Sequence, residues 1–417
     1  MSEPLIVIGN GMAAAKFCEE LANQGLGRYS VAVIGAEPHL AYNRVLLSSL
    51  LAGEVTASDI ELRNRDWWQA RGVTLIYGRP ALSIDTERNR VNLADGSSLG
   101  FSKLVLATGS HPIRLPVPGM ELPGVMTFRD RADVDALLAA ARPGTRAIVI
   151  GGGLLGLEAA TGVAAAGART TVIHLMDRLM ERQLDPRAGA LLKQAVEARG
   201  IEVLLGASTA AIEGQESAEG RRVTGLRLSD GRLLPADLVI VACGVRPNAD
   251  LARAAGLACN RGVMVDDGLA TSHTDIHAIG ECAEHRGQVY GLVEPAYEHA
   301  RVLARRLAGR PAAYEGSVTA TNLKVSGVHV FSAGDFTGGA GTQDIVLSDP
   351  GIGLYRRLIL RQDGQGTRLI GAVLFGDTAD GLFYLDLIRS GRDIGAQRAD
   401  LAFGPSFMTD FDTAEAA

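Results

Sequence analysis

The sequence predicts an α/β protein with two similar parallel-sheet domains and a smaller third domain, and two short glycine patterns carry most of this prediction. One pattern spans residues 9–14 and the other spans residues 151–156. Each follows an apolar run of strand type and opens a stretch with the apolar spacing of a helix. A dinucleotide-binding βαβ unit of the Rossmann type requires a strand, a turn and a helix in this order.

Both patterns contain the residues that cradle a pyrophosphate. The first glycine allows a tight turn, the second lets the backbone approach the phosphates, and the third small residue lets the helix pack closely on the strand. The N-terminus of that helix carries roughly half a positive charge. These residues are, in order, Gly9, Gly11 and Ala14 in the first pattern and Gly151, Gly153 and Gly156 in the second.

The elements around the first pattern agree with such a unit. A strand, a helix and a second strand are predicted over residues 5–9, 12–24 and 31–35. Glu37 follows the second strand, where a carboxylate can accept hydrogen bonds from both hydroxyls of an adenosine ribose. Residues 104–109 are predicted to form another buried strand that ends in a turn at Thr108 and Gly109, where the backbone can approach a ligand.

The second unit is predicted to be inserted into the first. The proline-rich segment 113–123 leads away from the first unit, and the second βαβ begins near Arg146. Its second strand and its returning strand are predicted over residues 170–175 and 238–244. Residues 276–281 then resume the first unit with a short apolar strand.

The remaining sequence predicts a smaller α+β unit. After a helix over residues 291–307, short strands are predicted at 323–330 and 369–375, with one helix at 382–389. We therefore predict three domains, which are residues 1–115 with 246–316, residues 116–245, and residues 317–417.

Charge and hydropathy exclude some classes of function. The formal net charge of −6 argues against a nucleic-acid binder, because phosphate contacts need a basic surface. The sequence begins without the basic head of a secretory signal, and no apolar run reaches the length of a membrane span. We expect a soluble, cytoplasmic protein without a membrane or nucleic-acid partner.

The four cysteines are isolated, so no C-x-x-C dithiol is predicted. His273, His277, Cys282 and His285 lie close together in the sequence, but their spacing matches no common zinc pattern. We therefore predict no metal site, and no protein dithiol that could carry electrons.

The order of these motifs resembles the FAD-dependent pyridine nucleotide oxidoreductases, which have the two-dinucleotide fold of glutathione reductase. The resemblance rests on the two glycine patterns, Glu37, residues 107–109, residues 244–247 and the pair Gly280 and Glu281. Residues 42–48, 179–185 and 279–283 further resemble the N-terminal reductase part of bacterial NAD(P)H nitrite reductase large subunits. Rubredoxin reductases and the electron-transfer subunits of assimilatory nitrate reductases are close relatives of that part.

The resemblance implies that the first domain binds FAD and that the inserted domain binds NADH or NADPH as electron donor. The implied contacts in the FAD-binding domain are Gly9, Gly11, Met12, Ala14, Glu37, Arg44, Thr108, Gly109, Glu281 and Val293. The implied contacts for the nicotinamide nucleotide are Gly151, Gly153, Leu155, Gly156, Glu158, His174 and Gly244. Arg44, beside the flavin, and Glu158, beside the nicotinamide, are the implied catalytic residues.

The resemblance also implies a function in electron transfer. The large subunits continue into cysteine-rich regions that bind iron–sulfur clusters and sirohaem, whereas this sequence has no cysteine beyond Cys282. We expect the chain to take hydride from NAD(P)H onto FAD and to pass electrons to a separate redox protein or reductase subunit. This acceptor would be of the nitrite or nitrate assimilation type, or of the rubredoxin or ferredoxin type.

The preferred donor stays open at this point. His174 stands where an NAD-preferring site commonly carries an acid. A histidine neither excludes a 2′-phosphate nor binds it as strongly as arginine would. We favour NADH slightly over NADPH.

Two other functions remain as alternatives. An NADH oxidase or peroxidase, or a coenzyme A disulfide reductase, needs a redox cysteine beside the flavin, where this sequence has Asn43, Arg44 and Ser48. A flavin-stabilised scaffold protein is the third hypothesis. Residues 322–328 and 374–378 resemble the interface domain of the family, so a homodimer is a further hypothesis.

Overall fold

The computed structural model describes residues 2–217, 220–325, 327–364 and 366–408. They form two compact units. The first unit comprises the described residues of Met1–Ile113, Arg129–Arg131 and Val245–Ser317. The second comprises those of Arg114–Phe128, Ala132–Gly244 and Val318–Ala417. Within the described ranges, no helix is long and apolar enough to cross a membrane.

The amino-terminal part of the chain supplies most of the first unit. Its strands are β1 (Glu3–Ile8), β2 (Tyr29–Gly35), β3 (Thr74–Tyr77), β4 (Ala81–Asp85), β5 (Arg90–Leu93), β6 (Ser98–Gly100), β7 (Lys103–Leu106) and β8 (Ser110–Pro112). Its helices are α1 (Met12–Gln24), α2 (Leu47–Leu51) and α3 (Arg65–Ala70).

The next part of the chain lies almost wholly in the second unit. Its strands are β9 (Val125–Thr127), β10 (Arg146–Ile150), β11 (Arg169–Ile173), β12 (Glu202–Leu204), β13 (Thr209–Ser217), β14 (Gly220–Leu228), β15 (Leu233–Pro235) and β16 (Leu238–Val241). Its helices are α4 (Arg131–Ala140), α5 (Leu154–Ala165) and α6 (Pro186–Glu197).

The chain then returns to the first unit and ends in the second. The returning part contains β17 (Val245–Pro247), α7 (Asp250–Ala254), β18 (Val263–Val265), β19 (Ile276–Ala278), β20 (Ala283–His285) and α8 (Val293–Leu307). The last part contains β21 (Ala320–Val325), β22 (Val328–Gly334), β23 (Thr342–Asp349), β24 (Leu354–Asp363), β25 (Gly366–Phe375) and α9 (Gly381–Ser390).

The main sheet of the first unit is parallel, with strand order β19-β7-β1-β2-β3. In the central strand β1, residues 5–8 form a continuous apolar run because both faces of the strand are buried there. Leu5 on one face has no exposed surface, and Ile6 on the other is 4% exposed. Strand order reverses direction between β1 and β7, and ligands of such sheets bind beyond the carboxyl ends of the strands at that point. The addition of β19 confirms that the chain comes back to complete this sheet.

The parallel sheet of the second unit repeats this arrangement. Its order is β12-β11-β10-β16-β9, so β10 lies between β11 and β16 as β1 lies between β2 and β7. The predicted α/β fold with two Rossmann-like sheets is therefore confirmed. The second unit holds both the predicted domain 116–245 and the described part of 317–417, and the division into three domains stays a prediction.

The carboxyl-terminal sheet is antiparallel, with order β21-β22-β25-β24-β23, and α9 packs against it. The prediction of a single strand at 323–330 is wrong, because the chain reverses between β21 and β22, with Val325 opposite Val328. Apolar residues continue through both arms of this hairpin, so their pattern hides the turn. Gly327 has a positive φ of 79°, which favours glycine and permits the reversal.

Helices α1 and α8 pack together in the core of the first unit. Their buried side chains recur at three- and four-residue spacing, which is the pattern of an amphipathic helix. They include Ala14, Phe17, Cys18 and Leu21 of α1, and Ala300, Leu303, Ala304 and Leu307 of α8. This packing fixes the N-termini of two helices that the candidate site uses.

Candidate functional site

The first glycine of each pattern occupies a position that only glycine fits. Gly9 and Gly151 have φ values of 112° and 123°. A Cβ atom would lie 2.1 Å from the carbonyl oxygen of Ala107 at Gly9 and 2.4 Å from that of Ala242 at Gly151. The turn in each unit therefore lies directly against the end of the neighbouring parallel strand.

The second glycine of each pattern leaves space for a ligand. Gly11 and Gly153 are the N-cap residues of α1 and α5, and neither helix has a side-chain cap. A Cβ atom added to either glycine would have no neighbour within 4 Å. Each helix thus has uncapped first-turn N–H groups beside open space, and this is where a pyrophosphate fits.

The third position joins each helix to its turn. Ala14 is fully buried. A Cβ atom on Gly156 would lie 2.0 Å from the carbonyl oxygen of Gly151, so this helix needs glycine there. Met12 and Leu155 lie half-buried in the first turns of α1 and α5, and their contact with a cofactor stays a prediction.

The structure brings Glu37 and Arg44 together in the first unit. The Tyr42 hydroxyl donates a hydrogen bond of 2.6 Å to Oε2 of Glu37, and the Arg44 guanidinium pairs with Oε1. Nη1 of Arg44 also donates to the carbonyl oxygen of Arg129 at 2.9 Å. A carboxylate has about four acceptor positions, so Glu37 retains capacity for a ribose hydroxyl. Tyr42 lies in the resembling segment 42–48, but no role was predicted for its side chain.

Glu281 lies in a second polar cluster of the first unit. Its Oε2 accepts a hydrogen bond of 2.8 Å from the Ser110 hydroxyl and pairs with the guanidinium of Arg129. Arg129 also donates to the Ser110 hydroxyl at 2.8 Å. The carboxylate of Glu281 is therefore compensated within the protein. Sequence analysis missed Ser110 and Arg129 because neither belongs to a recognisable motif.

Asn248 forms hydrogen bonds with the turn at Thr108 and Gly109. Its Nδ2 donates a hydrogen bond of 2.7 Å to the carbonyl oxygen of Thr108. Its backbone N–H donates one of 2.9 Å to the carbonyl oxygen of Gly109. The Thr108 hydroxyl donates to the carbonyl oxygen of Asn248 at 2.8 Å. Gly109 has a positive φ of 66°, which suits glycine at this turn. The turn is thus held by the segment that returns the chain to the first unit.

Two other predicted residues lie at the ends of elements. Val293 is the first residue of α8, whose N-cap Leu292 makes no side-chain capping bond. Gly244 follows β16 with a positive φ of 105°. Neither position places a charged side chain at a ligand, so any role of these residues is a backbone role.

Glu158 lies on α5, two residues beyond the glycine pattern, and is half-buried. Burial raises the pKa of its carboxyl to about 8. Among the described residues, none makes a hydrogen bond or ion pair with it. Most Glu158 side chains are thus protonated near neutral pH and can donate a hydrogen bond.

The raised pKa of Glu158 predicts how stability depends on pH. The folded protein binds this proton more tightly than the unfolded chain, so the contribution of Glu158 to the free energy of unfolding falls as pH rises from about 4.5 to about 8. Glu158→Gln removes this loss. The stability of the variant relative to the native protein should be higher at about pH 9 than at about pH 5, as measured by urea unfolding of the flavin-loaded protein. Equal differences at both pH values, like those expected for the exposed control Glu121→Gln, would contradict this prediction.

His174 is buried and turned toward the glycine turn of the second unit. Its Nδ1 accepts a hydrogen bond of 3.0 Å from the backbone N–H of Gly152. Its Nε2 lies 2.9 Å from Oε2 of Glu181. Because Nδ1 is an acceptor, the ring proton is on Nε2 and points at this carboxylate. Sequence analysis did not single out Glu181, although it lies seven residues from His174.

The four cysteines are free thiols. Burial raises the pKa of Cys18 to about 12 and that of Cys243 to about 11, and it also raises the pKa values of Cys259 and Cys282. A thiol needs a lowered pKa to be a good nucleophile near neutral pH, so none of the four has the environment of a redox-active thiolate. In the described ranges, no three His, Cys, Asp or Glu side chains are grouped to hold a metal ion.

The family of this protein follows from its similarity to known proteins. A model of the family described as pyridine nucleotide-disulphide oxidoreductase matches residues 3–300. The chain belongs to this family. A model of the rubredoxin NAD+ reductase C-terminal domain matches residues 320–392. Family membership brings a flavin and a nicotinamide nucleotide as cofactors, which agrees with two open glycine turns.

Individual relatives agree with this family assignment. The chain is 44% identical to nitrite reductase [NAD(P)H] of Bacillus subtilis, over 94% of this chain and 48% of that protein. It is 40% identical to the assimilatory nitrate reductase electron transfer subunit of the same organism, over 95% of this chain and 50% of that protein. It thus spans about half the length of these two relatives. The predicted resemblance to the reductase part of nitrite reductases is confirmed.

A solved structure of a similar protein is that of putidaredoxin reductase in covalent complex with putidaredoxin. It has a TM-score of 0.85 and 26% sequence identity, with 95% of each chain covered. In that complex the reductase is joined covalently to a separate protein, putidaredoxin.

Proposed function

We propose that this chain takes hydride from NAD(P)H onto FAD and passes the electrons to a separate redox protein. The observation that carries the proposal is the pair of glycine turns, one in each unit, with matching geometry and uncapped helices. The names of the relatives and of the matching C-terminal domain support an acceptor of the nitrite or nitrate assimilation type, or of the rubredoxin or ferredoxin type.

The first unit has the residues to hold FAD. The N–H groups at the start of α1 would bind its pyrophosphate, and Glu37 would accept the adenosine ribose hydroxyls. Arg44 would add a positive charge near the phosphates or the flavin, and Glu281 would accept hydrogen bonds from hydroxyls of the ribityl chain. When bound, FAD supplies the chemistry of accepting a hydride and releasing its electrons to the acceptor.

The second unit has the residues to hold the nicotinamide nucleotide. The N–H groups at the start of α5 would bind its pyrophosphate. Glu158 would lie near the carboxamide of the nicotinamide, where a protonated carboxyl can donate a hydrogen bond to the amide oxygen. Glu158 would thus orient the donor ring, and a small displacement of that ring would slow hydride transfer.

The environment of the thiols favours this proposal over disulfide or peroxide reduction. We expect iodoacetamide to leave the rate of electron transfer to a protein acceptor nearly unchanged, because burial raises the pKa of each of the four thiols. The measurement is the steady-state rate before and after treatment, with the alkylated cysteines counted by mass spectrometry. Rapid loss of activity in step with alkylation of one cysteine would support the thiol-dependent alternative.

The proposed function is tested by measuring how fast different acceptors reoxidise the reduced flavin. The purified protein is reduced without oxygen and then mixed with a rubredoxin, a [2Fe–2S] ferredoxin, hydrogen peroxide or coenzyme A disulfide. We expect one of the two proteins to reoxidise the flavin much faster than either small molecule does. Fast reoxidation by peroxide or by the disulfide alone would overturn the proposal.

We further propose that residues 317–417 form an interface domain and that the chain is a homodimer. The match of residues 320–392 to a reductase C-terminal domain supports the first statement. A monomer mass in light scattering at micromolar concentration would contradict the second.

A further inference from the structure

We propose that the carboxylate of Glu181 binds the adenosine ribose of the nicotinamide nucleotide and disfavours a 2′-phosphate there. NADH would then be the preferred donor over NADPH. This inference rests on the proposed function, because it assigns the nicotinamide nucleotide to the second glycine turn. In many such domains the acid that binds the ribose stands at the position of His174, and we assign that role to Glu181.

The first step concerns His174. It follows β11, where a carboxylate commonly binds the ribose hydroxyls and repels a 2′-phosphate. Both ring nitrogens of His174 are already used, since Nδ1 accepts from the N–H of Gly152 and Nε2 donates to Glu181. The imidazole therefore lies between the glycine turn and the carboxylate of Glu181. Glu181 supplies the carboxylate that position 174 lacks.

The backbone before Glu181 is tied to the same turn. The N–H of Met180 donates to the carbonyl oxygen of Gly152 at 2.9 Å, and Leu179 is fully buried beside it. Met180 has a positive φ of 51°, a conformation that is unfavourable for a non-glycine residue. The fold holds this strained residue because it is bonded to the glycine turn, and the result is a fixed place for Glu181. Gly152 thus contacts this loop through both its N–H and its C=O.

The carboxylate of Glu181 has acceptor capacity left for a ligand. Its side chain is 20% exposed, and Oε1 has an ion-pair contact of 3.8 Å with Arg182. Within the described part of the chain, no residue donates a hydrogen bond to Oε1. A ribose 2′-hydroxyl could donate to this oxygen, whereas a 2′-phosphate there would meet a negative charge.

The nearby arginines do not form a preorganised phosphate site. The guanidinium of Arg178 donates to the carbonyl oxygens of Leu184 and Glu181 and to the carboxylate of Asp177, so it is bound within its own loop. The side chain of Arg182 is 86% exposed, and its ion-pair contact is with Glu181. In this arrangement the carboxylate is the group best fixed beside the turn.

The test compares the native protein with Glu181→Gln. Glutamine keeps the shape and can still accept the hydrogen bond from His174, so the loop should be retained while the charge is lost. Two measurements are made on the flavin-loaded protein: calorimetric titration with NAD+ and with NADP+, and anaerobic flavin reduction by NADH and by NADPH. Asp177→Asn is the matched control, because Asp177 lies on the same loop, is 79% exposed, and does not contact His174.

We expect the native protein to bind NAD+ more tightly than NADP+. In Glu181→Gln the ratio of the two dissociation constants should fall about tenfold, which is the size expected for loss of one like-charge contact at a specificity site, with most of the change in NADP+. Asp177→Asn should leave the ratio unchanged. A native preference for NADP+, or a ratio that is the same in Glu181→Gln and in the native protein, would overturn the inference. If neither nucleotide binds or reduces the flavin, the proposed function itself fails.

Discussion

Gly11→Val is expected to give a folded protein that no longer retains its flavin. The valine side chain would occupy the open space beside the N-terminus of α1, where no described residue beyond its own chain neighbours has an atom within 4 Å of the Cβ position. The pyrophosphate would then lose hydrogen bonds from the first turn. Two such bonds to a charged group are worth about 3 kcal/mol, or roughly 100-fold in affinity. The flavin content after gel filtration measures this effect.

Gly27→Val is the matched control for this substitution. Gly27 is exposed in the same unit, and an added Cβ atom there also has no neighbour within 4 Å. It should retain flavin as the native protein does, and both variants should keep native far-ultraviolet circular dichroism. Full flavin content in Gly11→Val would show that the first glycine turn does not hold the flavin.

Gly153→Val is expected to separate nucleotide binding from flavin binding. Its side chain would fill the corresponding space at α5, so the flavin should remain while NADH and NADPH reduce it very slowly. The loss of two bonds to the pyrophosphate predicts an apparent dissociation constant about 100-fold higher for the donor. Anaerobic flavin reduction over a range of donor concentrations measures this constant.

Gly364→Val serves as the control in the second unit, because its Cβ position is also open. Native rates are expected for this variant. If Gly153→Val binds the donor normally but loses flavin, the assignment of the two turns must be exchanged. Normal behaviour in both respects would mean that the second turn holds neither cofactor.

The fold could be predicted because glycine patterns and apolar strands leave local signals. Helix α1 was predicted with the bounds that the structure shows, and the insertion followed from the short strand at 276–278 that resumes the first sheet. The hairpin between β21 and β22 could not be predicted from apolar spacing, since that spacing continues through the turn.

The candidate site was predictable only where it is built by local sequence. Glu37 and the glycines follow strands, so their positions could be inferred from the pattern. Ser110 and Arg129 reach Glu281 from distant parts of the chain, and such contacts depend on tertiary packing. Glu181 was missed because a strained residue, Met180, and the ring of His174 determine its place.

The most direct test of the central claim is anaerobic stopped-flow absorbance at the flavin band after mixing the purified protein with NADH or with NADPH. We predict rapid bleaching of bound flavin by NADH and slower bleaching by NADPH. Bound flavin that neither nucleotide reduces would contradict the claim that this chain transfers electrons from a nicotinamide nucleotide to a flavin.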